Sequence, residues 1–398
     1  MNMSIIFIIL LIAATAALLT SIILSVSLLI KKRKEKAIAK TISRLKGSGV
    51  VLFGLMVIMV GISLFSQFTS KTPPILNEQG DVLEGSIAEL TKIELNERKE
   101  WISIRGENKQ NPVLLFLAGG PGGTQMAAVR HDLAELEKHF VVVNWDQPGS
   151  GKSYYAAAKN SLDVQDYIDD GLALTEYLCE RFKQEKIYVA GESWGSALGV
   201  FLASETPDRY HAVIGTGQMV DFLKTELLDY DKAMEIANEK KDFDKIKKLT
   251  ENGKPPYYGS DVTWNSAEYL NYLSAEMSNN PEIQNNGYNT FRDIFSPEYG
   301  IIDKVNYFRG ILMTFNHVYP QLYDIDLRID YNKLEVPIYF FLGRHDINAP
   351  LSLVEDYVNI LDAPHKEIVW FENSGHNPWI NESDRFVEEL LIVKDRDN

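Results

Sequence analysis

The sequence predicts an α/β domain built on a mostly parallel sheet and preceded by a transmembrane helical hairpin. Two long apolar runs without a charge, at residues 4–30 and 49–68, stand at the start of the chain. Beyond them, short apolar runs bounded by glycine alternate with helical patterns, which is the order of elements in an α/β sheet. Runs that are apolar throughout indicate strands covered on both faces.

Each of the first two runs is long enough to cross a bilayer, which takes about 20 apolar residues in a helix. The loop between them, residues 31–46, contains eight basic residues and one acidic residue. Because loops rich in Lys and Arg stay in the cytoplasm, we expect residues 1–68 to form a two-helix, multi-pass anchor in the lipid bilayer of the cell membrane. The N-terminus and everything after the hairpin are then extracytoplasmic. A secretory signal would carry its charges before the apolar run, and residues 1–3 carry none; a buried hairpin of a soluble protein is the alternative.

The soluble part begins after a linker at residues 69–86, which contains Pro73 and Pro74. Residues 87–106 alternate well enough to predict an antiparallel strand pair. Helical patterns follow at 163–182 and 196–205. The buried strands are predicted at residues 113–118, 140–145, 187–190, 212–215, 337–342 and 367–371. The α/β core therefore comprises residues 87–219 and 334–398.

The segment at residues 220–333 separates the two parts of that core. It is rich in Tyr, Asp, Glu and Asn, and it contains no clear buried strand. A segment of this length cannot be a plain loop. We predict helices near residues 221–249, 266–277 and 302–319, which together form a cap over the C-terminal edge of the sheet.

Composition excludes several classes of function. A net charge of −15 argues against a nucleic-acid partner, because phosphate binding needs a basic face. The single cysteine, Cys179, excludes a disulfide framework and a cysteine-based metal cluster. The run PGSGKS at 148–153 is similar to a nucleotide-binding P-loop, but Asp146 stands where that motif requires glycine. No His/Glu pair has the spacing of a zinc site, so we expect no metal, no nucleotide and no other cofactor.

Three residues in separate segments form a candidate catalytic triad. The run GESWG at 191–195 lies between a predicted strand and a predicted helix, as a nucleophile elbow does, and makes Ser193 the nucleophile. Asp346 follows the strand at 337–342, and His376 follows the strand at 367–371. Ser, acid and His thus occur in the chain order of this class of site, and all three follow strand ends, where α/β sheets bind ligands.

A serine nucleophile also needs donors for the negative oxygen of its transition state. One is expected from the backbone N–H of Trp194, which follows the nucleophile. The second is expected from Gly120, in the glycine-dense turn GGPGG at 119–123 after the first parallel strand. A simple flexible turn is the alternative for that segment.

Five motifs in order along the chain resemble the prolyl aminopeptidase (proline iminopeptidase) family of α/β hydrolases. They are LFLAGGPGG at 115–123, NWDQPGSGKS at 144–153, GESWGS at 191–196, GRHD at 343–346 and SGHNPW at 374–379. The resemblance implies an α/β-hydrolase fold with an inserted helical cap. It also implies release of an N-terminal residue, often proline, from short peptides.

The motifs depart from that family at two positions. Ala118 stands where the family usually has His, and Glu192 stands where it usually has glycine. The resemblance further implies that cap carboxylates bind the free amine of the substrate. Candidate substrate-binding residues are Glu226, Asp229 and Asp231 in the expected cap, with Glu192 beside the nucleophile.

The sequence thus predicts a membrane-anchored, extracytoplasmic serine aminopeptidase whose partners are short peptides or other small acyl substrates. An esterase or lactonase with the same triad is an alternative, because fold and triad do not determine the substrate. A catalytically inactive surface receptor or scaffold on the same fold is the alternative from a different class.

Overall fold

The computed structural model describes residues 3–158, 160–285 and 287–396. Met1 and Asn2, where the expected hairpin begins, and Asp397 and Asn398, where the expected core ends, lie outside the described residues. The structure divides into two compact units. The first contains the chain up to residue 71 together with residues 297–304, and the second contains residues 72–296 and the chain from residue 305 onward.

The first unit is built on two long helices, α1 (Met3–Arg33) and α2 (Ala39–Thr69). Both are apolar and long enough to cross a membrane, and almost none of their side chains are buried, unlike those of a core helix. The helices pack on each other through Ser21, whose Oγ lies 2.8 Å from the Oγ of Ser48, and through Lys31, whose Nζ donates to Thr41 Oγ1 at 2.8 Å. The predicted pair of long apolar helices is therefore confirmed.

The end of α2 supplies hydrogen-bond acceptors to residues near 301 in the same unit. Ser66 Oγ accepts from the backbone N–H of Ile301 at 2.9 Å, and Gln67 Oε1 accepts from that of Ile302 at 3.2 Å. Gln67 Nε2 also donates to Asp303 Oδ1 at 2.8 Å. Residues 297–304, which the sequence assigned to the cap, thus belong to the same compact unit as the hairpin.

The second unit contains one eight-stranded sheet with the order β1-β2-β4-β3-β5-β6-β7-β8. The first three strands in this order pair antiparallel, and the rest are parallel. This is the predicted mostly parallel sheet with an antiparallel pair at its start. The strands are β1 (Ile87–Leu95), β2 (Arg98–Gly106), β3 (Val113–Leu117), β4 (Val141–Asp146), β5 (Ile187–Glu192), β6 (Tyr210–Thr216), β7 (Ile338–Gly343) and β8 (Lys366–Phe371).

Helices cover both faces of the sheet, so that its central strands are buried on both sides. Alternate residues of β3 show this, because Leu115 packs into the core on one face of the sheet while Phe116 packs into the core on the other face. The covering helices are α3 (Met126–Asp132), α4 (Val164–Phe182), α5 (Trp194–Glu205), α13 (Leu351–Ile360), α14 (Pro378–Asn381) and α15 (Ser383–Arg396). Asp163 caps α4 by accepting from the Asp166 N–H at 2.9 Å, and a left-handed residue, Lys183, ends it.

The chain between β6 and β7 is helical, and none of its described residues adds a strand to the sheet. Its helices are α6 (Phe222–Lys240), α7 (Phe243–Asn252), α8 (Val262–Ser278), α9 (Thr290–Ile294), α10 (Ile301–Arg309), α11 (Phe315–Val318) and α12 (Leu327–Asp330). We refer to the part of this insertion that belongs to the second unit as the cap.

Two helices of this insertion differ from the prediction. The expected helix at 221–249 is two helices, because Lys241 adopts a left-handed conformation with φ 56° and Asp242 then caps α7 by accepting from the Lys245 N–H at 3.0 Å. The expected helix at 302–319 is interrupted by a π-helical segment, Gly310–Thr314. Such segments occur often at functional sites.

Candidate active site

Ser193 lies on a sharp turn between β5 and α5. Its backbone has φ 53° and ψ −120°, in a region that non-glycine residues rarely occupy, and its N–H donates to Thr216 O at 2.9 Å. The flanking glycines leave no room for side chains. A Cβ at Gly191 would lie 2.1 Å from the carbonyl oxygen of Gly195, and a Cβ at Gly195 would lie 2.2 Å from that of Leu117. The turn therefore has the geometry of a nucleophile elbow.

Asp346 and His376 are hydrogen-bonded to each other. Asp346 Oδ2 lies 2.9 Å from His376 Nδ1, and its other oxygen accepts from the backbone N–H groups of Asn348 at 2.8 Å and Ala349 at 3.0 Å. The carboxylate is therefore fixed by the loop after β7. With Nδ1 donating to Asp346, the neutral imidazole has its lone pair on Nε2, which is the atom that a catalytic base uses.

His376 also faces the elbow. Its Nε2 lies 3.8 Å from Oε1 of Glu192, the residue immediately before Ser193. Burial by itself lowers the pKa of His376, but the charge and hydrogen bond of Asp346, together with the charge of Glu192, outweigh burial and raise this pKa to about 9. The two carboxylates therefore favour the protonated imidazole, and His376 must lose that proton before it can act as a base.

Ser193 and Gly120 border one cavity of about 320 Å³. The core contributes the elbow and the turn after β3. The cap contributes a mainly aromatic and apolar wall, with Tyr288, Tyr307, Ile311 and Phe315 beside one hydroxyl residue, Thr290. Trp194 is the first residue of α5, so its backbone N–H has no acceptor within the helix. Of the two expected oxyanion donors, Gly120 thus borders the same cavity as Ser193, and Trp194 follows Ser193 at the start of α5.

The π-helical segment touches the glycine-dense turn directly. A Cβ on Gly122 would lie 2.3 Å from the carbonyl oxygen of Gly310, and a Cβ on Gly310 would lie 2.2 Å from the carbonyl oxygen of Gly122. Nearby, Thr314 Oγ1 donates to Gly149 O at 2.7 Å. The cap is thus packed backbone to backbone against the turn that contains Gly120.

Glu192 is a buried carboxylate in the wall of the same cavity. Its Oε2 accepts from Gln125 Nε2 and from Tyr288 OH, the latter at 3.3 Å, and lies against Gly119. Burial raises the pKa of Glu192, while His376 and the two hydrogen-bond donors partly oppose this shift.

The other expected substrate-binding carboxylates do not border the Ser193 cavity. Glu226 is buried inside the cap, where it accepts from the hydroxyls of Tyr269 and Tyr319, the latter at 2.8 Å. Asp229 is also buried, and neither of its carboxylate oxygens has a hydrogen-bond partner among the described residues. It borders a separate cavity of about 320 Å³ together with Asp346, and Asp231 lines that second cavity too. Burial, followed by the charges of Glu226 and Asp346, raises the pKa of Asp229 well above its usual range.

Sequence reasoning missed Gln147, which links the elbow to the turn after β3. Its Nε2 donates to Ala118 O at 3.2 Å, and its Oε1 accepts from Trp194 Nε1 at 3.0 Å. Ala118, one of the two departures from the family pattern, is therefore held through its carbonyl oxygen. The DQ pair in the motif at 144–153 is the signal from which Gln147 could have been found.

Comparison with known proteins agrees with this fold and geometry. Residues 112–383 match a family model described as alpha/beta hydrolase fold. The chain belongs to the α/β hydrolase family, and within it to the aminopeptidase-like hydrolases, which confirms the resemblance seen in the motifs.

Individual relatives point the same way. The probable aminopeptidase YbaC of Bacillus subtilis is 31% identical over 310 residues, which cover 77% of this chain and 96% of that protein. The proline iminopeptidase of Lactobacillus crispatus is 24% identical and covers 73% of this chain and 92% of that protein. The crystal structure of a proline iminopeptidase from Mycobacterium smegmatis superposes with a TM-score of 0.57 at 16% identity, covering 78% and 99% of the two chains, which shows the shared fold.

Proposed function

We propose that this protein is a membrane-anchored serine aminopeptidase that releases N-terminal residues from short peptides through Ser193, His376 and Asp346. The observation that carries the proposal is the Asp346–His376 hydrogen bond of 2.9 Å, with Nε2 of His376 facing the residue next to Ser193. The likeness to a probable aminopeptidase over most of both chains supports the peptidase activity.

In the proposed reaction, Ser193 Oγ attacks the carbonyl carbon of the first peptide bond while His376 Nε2 takes the hydroxyl proton. The N–H groups of Gly120 and Trp194 stabilise the negative oxygen. The C–N bond then breaks, and His376 passes the proton to the leaving amine. Water repeats the sequence on the acyl-enzyme, so that the free amino acid leaves and Ser193 regains its proton. Asp346 holds the imidazole in the required tautomer.

The test of the triad is Ser193→Ala in the full-length protein in detergent. We expect hydrolysis of aminoacyl arylamides to fall by at least about 10³-fold, because the nucleophile is removed, and fluorophosphonate labelling to disappear. Ser161→Ala, at an exposed serine whose hydroxyl donates only to Ala158 O, is the matched control and should keep both. Retained turnover in Ser193→Ala contradicts the assignment.

An esterase acting on uncharged acyl groups is the second candidate, and the aromatic and apolar cap wall of the cavity favours it. An aminopeptidase requires the free amine of its substrate, whereas an esterase does not. Equal kcat/KM for free-amine and N-blocked versions of one substrate supports the esterase. A strong preference for the free amine supports the peptidase.

We further propose that α1 and α2 span the membrane, with residues 34–38 between them in the cytoplasm and the catalytic unit outside. The basic residues around this turn support the orientation. The one native cysteine, Cys179, is buried, so introduced cysteines can report topology. A membrane-impermeant maleimide should label Glu78→Cys in intact cells and Lys34→Cys only after permeabilisation; the reverse pattern contradicts the orientation.

A further inference from the structure

We propose that Glu192 binds the ammonium group of the substrate's N-terminal residue, so that the free amine is recognised by the core of the protein and not by a carboxylate of the cap. This inference rests on the proposed aminopeptidase function. It assigns a specificity-determining role to a residue that the sequence singled out as a departure from the family pattern.

Distance to the nucleophile is the first argument. The amino nitrogen of an N-terminal residue is two bonds from the carbonyl carbon that Ser193 attacks, about 2.5 Å away. A group that binds the amine must therefore line the same cavity as Ser193. Among the four candidate carboxylates, Glu192 borders this cavity, whereas Asp229 and Asp231 border another and Glu226 is enclosed by tyrosines within the cap.

The partners of its two oxygens are the second argument. Oε2 of Glu192 is held by Gln125 and Tyr288, which fixes the carboxylate in place. Oε1 lies 3.8 Å from His376 Nε2, beyond the 2.7–3.2 Å of an N–H···O hydrogen bond, and accepts from no group in the part of the chain that the structure describes. Oε1 therefore retains its capacity to accept a hydrogen bond from a bound group.

Charge balance is the third argument. A buried carboxylate is costly unless a cation accompanies it, and both donors to Oε2 are neutral groups. His376 lies within ion-pair distance of Glu192, at 3.8 Å, but it must be neutral to act as the base. The ammonium of a bound peptide supplies a positive charge at this point, whereas an uncharged acyl group supplies none. The cavity therefore favours substrates with a free amine.

The experiment compares L-alanyl-p-nitroanilide with propionyl-p-nitroanilide, which differ only by the amino group. At about pH 7 the amine is largely charged. The measured quantity is the ratio of the two kcat/KM values, because any effect of a substitution on His376 enters both values and cancels. For Glu192→Gln, which keeps the shape but removes the charge, we expect this ratio to fall by roughly 10- to 100-fold, as for loss of a charge-assisted hydrogen bond.

Two matched variants test whether loss of any buried carboxyl group has the same effect as loss of Glu192. Glu226→Gln and Asp229→Asn each neutralise a buried cap carboxyl outside the cavity and should leave the ratio within about 2-fold of wild type. Glu192→Asp keeps the charge but withdraws the oxygen by one methylene, so it should raise KM for the alanyl substrate more than for the propionyl one. Fluorophosphonate labelling of Ser193 verifies that each variant is folded.

The outcomes separate this inference from the proposed function. A wild-type ratio near one contradicts the aminopeptidase and the role of Glu192 together. A high wild-type ratio that survives Glu192→Gln, or one that Glu226→Gln or Asp229→Asn abolishes, overturns the role of Glu192 alone and leaves the aminopeptidase standing. A ratio that falls in Glu192→Gln alone supports the inference.

Discussion

The pH dependence of Ser193 reactivity is predicted to shift when Glu192 is replaced by Gln. His376 must lose its proton before it can act as a base, and its pKa of about 9 reflects two carboxylates, Asp346 and Glu192. Because an adjacent negative charge favours the protonated imidazole, removal of one carboxylate lowers this pKa. The Ser193 hydroxyl should then become reactive at a lower pH.

The size of the shift follows from the 3.8 Å between Glu192 Oε1 and His376 Nε2. Two unit charges about 4 Å apart interact by about 1 kcal/mol in water and about 4 kcal/mol at an effective dielectric constant of about 20. Since 1.36 kcal/mol corresponds to one pKa unit, the range is roughly 1 to 3 units. The hydrogen bonds from Gln125 and Tyr288 reduce the effective charge of the Glu192 carboxylate, so we expect the pKa of His376 to fall by an amount at the lower end of this range, about 1 unit.

The assay is the second-order rate constant for labelling of Ser193 by an uncharged fluorophosphonate, measured from about pH 6 to about pH 10.5. This probe needs the triad but no substrate amine, so it isolates the effect on His376. Glu226→Gln, which removes a buried carboxyl that does not face His376, should keep the wild-type midpoint. A Glu192→Gln midpoint equal to or above that of wild type refutes the reasoning.

Three further predictions concern stability and the support of the site. Gly195→Ala places a Cβ 2.2 Å from Leu117 O, so the melting temperature should fall by an amount equivalent to at least about 1–3 kcal/mol; an unchanged melting temperature contradicts the close approach. Gln147→Ala leaves Trp194 Nε1 without its acceptor, so kcat should fall about 10-fold at unchanged KM. Steady-state kinetics measure both values, and wild-type values would show that the link from the elbow to the turn after β3 does not support catalysis. Asp229 has a raised pKa, so the folded protein binds a proton that the unfolded chain releases, and stability falls as pH rises above about 4. Asp229→Asn should therefore stabilise the protein more at about pH 8 than at about pH 5, because the amide has no proton to lose; a gain independent of pH contradicts this.

The strands and the elbow could be predicted because their signals are local. Buried strands such as β3 and β7 are continuous apolar runs, and the residues after them are fixed at one edge of the sheet by the parallel arrangement. Asp346 and His376 come within hydrogen-bond distance for that reason. Their distance in the chain does not matter once both strands are in one sheet.

The breaks in the helices of the insertion could not be predicted in this way. Lys241 adopts a conformation that sequence patterns assign to Gly or Asn, and the π-helical segment Gly310–Thr314 depends on the turn it packs against. The hydrogen-bond donors to Glu192 could not be predicted from the sequence either. Gln125 and Tyr288 come from distant parts of the chain, and the burial of the carboxylate exists only after they meet.

The hydrogen bonds at the end of α2 have a practical consequence for anyone who removes the two long apolar helices to prepare a shorter form of the protein. Ser66 and Gln67 serve as the helix cap of α10 although they are more than two hundred positions away in sequence. A truncation that starts after residue 67 leaves the first amides of α10 without these acceptors and the Asp303 carboxylate without the Gln67 amide. A start at or before residue 65 retains them, so it is the better choice for crystallisation.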